Sequence, residues 1–388
     1  MLERPDRLSA IDFAYTVHSA VSLSGPRQCG KTTLARLIAR REAKVTIFDL
    51  EKAADRRKLR EPEQAMESLT GLVVIDEIQR QPALYETLRV LLDRPEHPAR
   101  FLLLGSAAPG LMRDVSESLA GRVATIDLGG FTLRETGADA WPVLWQRGGF
   151  PRAYLASSEA GSVAWRQHFA RSFMERDIPQ FGIAIPAETL RRFWTMIAHY
   201  HGQIWNGAEF ARSLGTSEPT ARRYLGVLVG VYMVRLLPPW YENLGKRQVK
   251  APKVYVRDTG LLHSLLLVRN RDALLGHPKL GASWEGFVVE QLITMLDTRD
   301  AYFWATQNGA ELDLMINYDG RRYGFEVKFA DAPGTTKSMH TAIADLGLEH
   351  LWVIYPGKDR YALTEKITAV PAGEIVALVS ALKAGKSL

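Results

Sequence analysis

The sequence predicts an α/β fold built on a parallel sheet, continued by a helical region and then by a smaller α/β module. Three observations predict it. Short, uninterrupted apolar runs alternate with helical periodicity over the first 135 residues. A glycine-rich loop joins the first of these runs to the first helical pattern. The last third returns to alternating apolar and polar residues, the period of half-buried strands.

The apolar runs are Ala20 to Ser24, Val45 to Leu50, Leu72 to Asp76, Phe101 to Gly105 and Val123 to Leu128. Strands without polar alternation are buried on both faces, which implies a parallel sheet covered by helices. Helical stretches such as Thr33 to Arg41 and Leu84 to Leu92 lie between them, the second with Leu84, Leu88, Leu91 and Leu92 on one face. From about Trp141 helices take over. Ala208 to Leu214 and Pro219 to Leu228 are short helices, with Gly215 suited to a C-cap and Ser217 to the next N-cap. The β-like runs Val231 to Leu237 and Lys253 to Arg257 follow, so this region reads as a winged helix. A third region opens near Gly281 with an amphipathic helix, Trp284 to Met295, and three strand-like segments ending near Ile354. The expected division is 1–135, 136–275 and 276–388.

Composition narrows the class. With 46% hydrophobic and 24% charged residues the chain is globular, and its single cysteine excludes a disulfide framework or a cysteine zinc site. No apolar stretch approaches about 18 residues, and the polar start, Met1 to Ala10, is unlike a secretory signal, so a cytoplasmic location without membrane is expected. Of 49 Lys and Arg and 43 Asp and Glu, 19 and 9 fall between Arg147 and Lys279. A basic middle suits a polyanionic partner, with DNA favoured; a solvated surface is the other reading. In the second short helix Arg222 and Arg223, flanked by Tyr224, stand where a recognition helix meets bases. Arg191, Arg192, Lys246, Arg247 and Lys250 are candidates to extend that surface.

The loop Gly25, Pro26, Arg27, Gln28, Cys29, Gly30, Lys31, Thr32 fits the P-loop pattern in full, with Thr33 opening the helix. Its glycines let backbone amides curl around phosphates, and the helix N-terminus adds positive potential. Lys31 reaches the β- and γ-phosphates and Thr32 offers a hydroxyl to magnesium, so ATP with Mg2+ is the expected cofactor pair. Leu72 to Glu77 is an apolar strand ending in two carboxylates. Asp76 then faces the magnesium shell, and Glu77 activates the attacking water. Ser106, after a buried strand, is a γ-phosphate sensor or a turn residue. Arg122 is a cation for the developing charge or a structural ion pair.

In the last third, Glu311 to Asn317 and Arg322 to Phe329 alternate around Asp319-Gly320, a strong two-residue hairpin turn. That register sets Asp313 across from Glu326 and Glu311 across from Lys328, all on one face. Leu312, Leu314, Phe325 and Val327 take the other. Facing carboxylates repel, and a divalent cation between them reverses the sign.

These segments resemble a large family of prokaryotic AAA-type ATPases whose C-terminal domain, of formally unknown function, is related to PD-(D/E)XK nucleases. The motifs are Gly25 to Leu34, Val74 to Arg80, Leu104-Gly-Ser106, Leu119 to Arg122, Asp258 to Leu261, Trp284 to Val288 and Phe325 to Lys328. The resemblance implies strand order 5-1-4-3-2, Asp76 and Glu77 as Walker B residues, and Ser106 as sensor 1. In the nuclease-like module it implies Asp313 and Glu326 on magnesium, Glu285 completing the shell, and Lys328 polarising water or phosphate. Leu312 stands where that motif has proline. No second sensor arginine or helical lid of the usual AAA kind is found, so assembly into a ring is not expected, while an oligomer of another kind is left open. The expected function is an ATPase coupled to a nucleic-acid-directed module, with a nucleotide-dependent switch carrying an inert nuclease-like domain as the alternative.

Overall fold

The computed structural model describes residues 2–94, 99–106, 119–180, 183–241, 250–306 and 308–385. The chain divides into two compact units, Met1–Gly130 with Gly226–Tyr232, and Phe131–Leu225 with Met233–Leu388.

The first unit is built on five parallel strands: β1 (Ala20–Gly25), β2 (Val45–Asp49), β3 (Gly71–Asp76), β4 (Ala99–Ser106) and β5 (Val123–Asp127), in order β2-β3-β4-β1-β5. This is the expected 5-1-4-3-2 order of a P-loop NTPase sheet. Its strands read as continuous hydrophobes because they are covered twice. On one side Val73, Ile75, Phe101 and Leu103 pack with Leu84, Leu88, Leu91 and Leu92. Those leucines recur at helical spacing, and burying one fully stabilises by about 2 kcal/mol. The helix after the P-loop, α1 (Lys31–Ala39), buries Leu34, Ala35 and Ile38; the leucine helix is α2 (Leu84–Leu92).

The second unit opens with helices. α3 (Ala187–His199) precedes β6 (Gln203–Ile204), then α4 (Gly207–Leu214), α5 (Glu218–Gly230), β7 (Val234–Leu237) and β8 (Lys253–Val256). The three strands form an antiparallel sheet of order β6-β8-β7. The caps follow the sequence signals: Gly215 ends α4 at φ 65°, and the Ser217 hydroxyl accepts from the Thr220 amide at 3.4 Å. The apolar run at Val231 does not begin a strand there. α5 continues to Gly230, and Tyr232 at φ 62° turns the chain before β7.

The chain then enters α6 (Leu280–Leu296), β9 (Ala301–Ala305), β10 (Glu311–Tyr318), β11 (Arg321–Val327), α7 (Lys337–Leu346), β12 (His350–Tyr355), β13 (Tyr361–Thr364) and β14 (Ile367–Pro371). The mixed sheet has order β13-β14-β12-β11-β10-β9. It holds six strands where sequence periodicity suggested three; β13 and β14 follow Ile354, and β9 precedes the hairpin. α6 is buried nearly all round, from Ser283 to Leu296, rather than on one stripe. Trp304, Leu312, Met315, Met339, Leu346, Leu351 and Val353 form a core under one face of the sheet. Glu290 of α6 is gripped by two guanidiniums: Arg235 from β7 donates through Nε at 2.6 Å and Nη2 at 3.1 Å, and Arg257 just beyond β8 through Nε at 2.8 Å. Burial opposes ionisation of Glu290, yet the two arginines outweigh it and bring its pKa to about 2. Among the described residues no helix is long and apolar enough to cross a membrane.

Candidate functional site

In the first unit the carboxyl ends of the strands gather the expected groups. Gly25 of β1 aligns with Ser106 of β4, and Asp76 of β3 aligns with Asp49 of β2. Gly25 is required by close approach, because a Cβ there would lie 2.0 Å from the Leu128 carbonyl oxygen. Gln28 and Gly30 sit at φ 64° and 106°, the left-handed turns that curl the loop into the start of α1. Cys29 is fully buried, which leaves its backbone to serve the loop. Lys31 is also buried; its ammonium donates to the loop's own carbonyls, Gly25 O at 2.9 Å and Pro26 O at 2.8 Å. An incoming phosphate competes for that ammonium with two neutral acceptors, a contest that a charged oxygen wins.

Thr32 donates its hydroxyl to Asp76 Oδ2 at 2.9 Å. Burial raises the Asp76 pKa first of all, the Thr32 hydroxyl pulls it down, and the charges of Glu77 and Asp49 push it up again. A hydroxyl beside a desolvated carboxylate is the donor set that a hard cation takes, so these residues fit magnesium. Glu77 adopts φ 56°, ψ 44°, a conformation that a non-glycine residue holds only when its surroundings fix it. Its carboxylate accepts from the Gln79 amide. Arg27 pairs with Glu51 at 3.5 Å. Of Ser106 the backbone closes β4, and its side chain lies outside the described residues, as do Lys246 and Arg247.

Arg122 requires a correction. It precedes Val123, which aligns with Ala20 at the amino edge of the sheet, whereas the P-loop follows Gly25 at the carboxyl edge. The strand length separates them by roughly 16 Å. Its guanidinium forks onto Asp93, Nε to Oδ1 at 2.6 Å and Nη2 to Oδ2 at 2.8 Å. The ion-pair alternative is the observed one. Sequence reasoning missed Arg4, whose buried guanidinium donates to Cys29 O and Gly129 O, each at 3.0 Å. A lone arginine in a polar N-terminal stretch carries no motif by which to find it.

In the second unit Asp319 and Gly320 stand at φ 50° and 73°, both positive as a type I′ turn needs. The pairing runs from Tyr318 opposite Arg321 to Leu314 opposite Phe325. The regular pairing ends there; the Val327 amide donates to Asp313 Oδ2 at 2.9 Å, which keeps the Asp313 carboxylate beside Glu326. Leu312, Leu314 and Phe325 are fully buried, but the expected common face holds only for Leu314 and Phe325: a bulge between Leu312 and Met315 turns Leu312 to the side of Met315 and Trp304. Glu326 is only 5% exposed, and among the described residues its Oε2 has no hydrogen-bond partner, while Oε1 pairs with Lys328 at 2.7 Å. Burial, then the neighbouring Asp313, pushes the Glu326 pKa up to about 8 against the pull of Lys328.

Glu285 of α6 joins the same cluster, but not as the third ligand of a closed metal shell. Its Oε1 accepts from Lys253 at 3.0 Å and from the Tyr255 hydroxyl at 2.5 Å. Burial and then Asp313 raise its pKa to about 7. Lys253 also pairs with Glu311 at 2.5 Å and with Asp313 at 3.7 Å. Lys253 and Tyr255 alternate along β8 and so reach from one face of that strand. Among the described residues no three His, Cys, Asp or Glu side chains converge closely enough to hold a metal ion alone. Asp313 and Glu326 still fit one as a pair, since Glu326 carries an orphaned buried oxygen beside a second carboxylate. Lys253 and Tyr255 had no motif to reveal them.

Arg222 is exposed and pairs with Glu218 one turn earlier at 3.2 Å. It borders a cavity of about 470 Å³ together with Tyr200, Trp205 and Asn206. Arg223 lies over the Tyr224 ring at 5.7 Å, and Arg192 donates to the Ser213 carbonyl at 2.9 Å.

The family model described as AAA domain matches residues 17–137. Two described as domains of unknown function, DUF8612 and DUF4143, match residues 138–272 and 280–375. The chain is 50% identical over 376 residues to the uncharacterized proteins Rv2008c of Mycobacterium tuberculosis and Mb2031c of Mycobacterium bovis, covering 97% of this chain and 85% of theirs. Among solved structures, it is similar to a Walker-type ATPase of Pyrococcus abyssi at 12% identity and TM-score 0.48, over 69% of this chain and 96% of that one. It is also similar to the Orc1 protein of Aeropyrum pernix, solved in complex with DNA, at 12% identity and TM-score 0.34, over 68% and 92%.

Proposed function

This chain belongs to the family of the mycobacterial proteins Rv2008c and Mb2031c and is a P-loop ATPase of the AAA type, and from that premise we propose that its nucleotide cycle is coupled to a nucleic-acid-directed C-terminal module. Lys31 exchanges the Gly25 and Pro26 carbonyls for the β- and γ-phosphates. Thr32 and Asp76 hold magnesium, which when bound offsets phosphate charge. Glu77, held by Gln79, orients the attacking water and takes its proton. Ser106 is the γ-phosphate sensor of this reading. The proposed setting is the cytoplasm.

For the C-terminal module the carrying observation is the buried Glu326, with Oε2 unpartnered among the described residues, beside the carboxylate of Asp313. Burying a second carboxylate against a first costs several kcal/mol unless a cation compensates them. In this reading Asp313 and Glu326 hold a divalent cation, Lys328 steadies the charge of a phosphodiester, and α4 with α5 acts as a winged helix presenting Arg222 and Arg223 to DNA. The cation would supply Lewis-acid polarisation and a hydroxide-like water. A second reading, a nucleotide-driven switch with an inert module, is favoured by Lys253, which already balances Glu285, Glu311 and Asp313. Purified full-length chain incubated with plasmid or oligonucleotide DNA and RNA decides between them. Cleavage that needs Mg2+ or Mn2+ and is lost in Asp313→Ala, with ATP hydrolysis intact, supports the nuclease. ATP hydrolysis without any metal-dependent cleavage leaves the switch.

A further inference from the structure

We propose that Lys253 is an internal counter-ion, holding Glu285, Glu311 and Asp313 in place of a divalent cation and giving way when that cation binds. This rests on the metal-site reading of the hairpin and deepens it with a residue from outside the hairpin. Four carboxylates, Glu285, Glu311, Asp313 and Glu326, meet two ammoniums, Lys253 and Lys328. With all six ionised the cluster keeps two uncompensated negative charges, the charge of one divalent cation. The unpartnered oxygen of Glu326, a residue 5% exposed, points to the same missing charge independently of the acid count.

The spacing suits an ammonium rather than a small dication. Lys253 Nζ stands 2.5, 3.0 and 3.7 Å from its three carboxylates, whereas magnesium demands oxygens at about 2.1 Å. The lysine is 3% exposed and its head lies 5.6 Å from the centre of the Phe303 ring, so it has no water to retreat into where it sits. A dication on Asp313 would share an oxygen-lined space with a fixed positive charge, and like charges at such range repel strongly in a desolvated site. Binding therefore requires Lys253 to move, and Lys253 is the first residue of β8. Occupancy of the hairpin is thereby linked to the position of a strand in the three-stranded sheet beside α4 and α5.

The test titrates Mn2+ by electron paramagnetic resonance into nucleotide-free wild type, Lys253→Gln and Lys253→Arg, with Asp313→Ala defining the signal of this site. Lys253→Gln should bind Mn2+ at least about tenfold more tightly, and Lys253→Arg should stay near wild type. ATP hydrolysis by each protein checks that the first unit is intact. Should Lys253→Gln fail to fold, amine acylation of the wild type read by mass spectrometry serves instead. Lys253 should be unreactive without metal and labelled once Mn2+ is bound. Asp313-dependent Mn2+ binding that ignores the Lys253 substitution, or that leaves Lys253 unlabelled, overturns the counter-ion role and leaves the metal site standing. No Asp313-dependent Mn2+ in any form overturns both.

Discussion

Replacing Glu326 by glutamine should make the metal-free second unit less sensitive to pH, and the size of the effect follows from one buried oxygen. The Glu326 pKa stands at about 8 because burial and Asp313 outweigh Lys328, while the unfolded chain titrates near the ordinary 4.5. Between those values the native state holds a proton that the unfolded state has lost. Stability contributed by this group is thus complete below pH 4.5 and is lost as pH rises toward 8. His201 and His263 act in the opposite sense at lower pH. Burial brings both to about 3, so they cost stability as pH falls below the unfolded value of 6.5. Their contribution is common to both proteins and cancels in the difference. From pH 5 to pH 8 the stability of Glu326→Gln should therefore gain on wild type by about 3 kcal/mol, the slope reaching roughly 1.4 kcal/mol per pH unit only midway between the two pKa values. All nine tryptophans lie between Trp141 and Trp352, within the second unit. Urea unfolding followed by tryptophan fluorescence, in EDTA, consequently reads that unit alone. A difference that stays constant across this range would refute the reasoning, because it would mean that the Lys328 pair keeps Glu326 ionised despite its burial.

Three further outcomes follow from the geometry. Lys31→Ala should abolish ATP hydrolysis and weaken nucleotide binding, whereas Glu77→Gln should bind normally and turn over at least about a hundredfold more slowly; equal hydrolysis by wild type and Glu77→Gln removes Glu77 from its role. Arg122→Ala should keep ATP turnover within about twofold of wild type, since its side chain serves Asp93 at the far edge of the sheet; a loss of several orders of magnitude, with the protein still folded, would return it to the chemistry. Double substitution of Arg222 and Arg223 should weaken DNA binding and flatten its dependence on salt by about two counterions, measured by anisotropy between low and physiological salt. A wild type that binds no DNA at low salt leaves the helix pair without that role.

What could be read in advance divides along physical lines. The P-loop, the Asp76-Glu77 strand end and the hairpin register depend on neighbours in sequence, where glycine conformations and side-chain alternation act over a few residues. Asp319-Gly320 alone fixes which side chains face each other from Tyr318 back to Leu314, and the bulge beyond it, at Leu312, leaves no local signal. Arg122 was ambiguous because Asp93, its partner, is set by helix α2 and not by any spacing around Arg122. Lys253 was illegible for the same reason taken further. Its partners lie 32, 58 and 60 positions away, and a lysine opening a short strand usually faces water. The sixfold sheet was undercounted because β13, at Tyr361–Thr364, is four residues long and half exposed, too short to show alternation.

The double grip of Arg235 and Arg257 on Glu290 bears on how this protein can be taken apart. A fragment beginning at residue 276 keeps all six strands of the mixed sheet and every carboxylate of the hairpin. It forfeits both arginines, along with Lys253 and Tyr255. Glu290 would then be a buried anion with no counter-charge, at a cost of about 3–5 kcal/mol, comparable to the whole stability of a small domain. The smallest piece that recombination or cloning can move intact therefore starts near Phe131, and the helical region travels with the sheet as one heritable part.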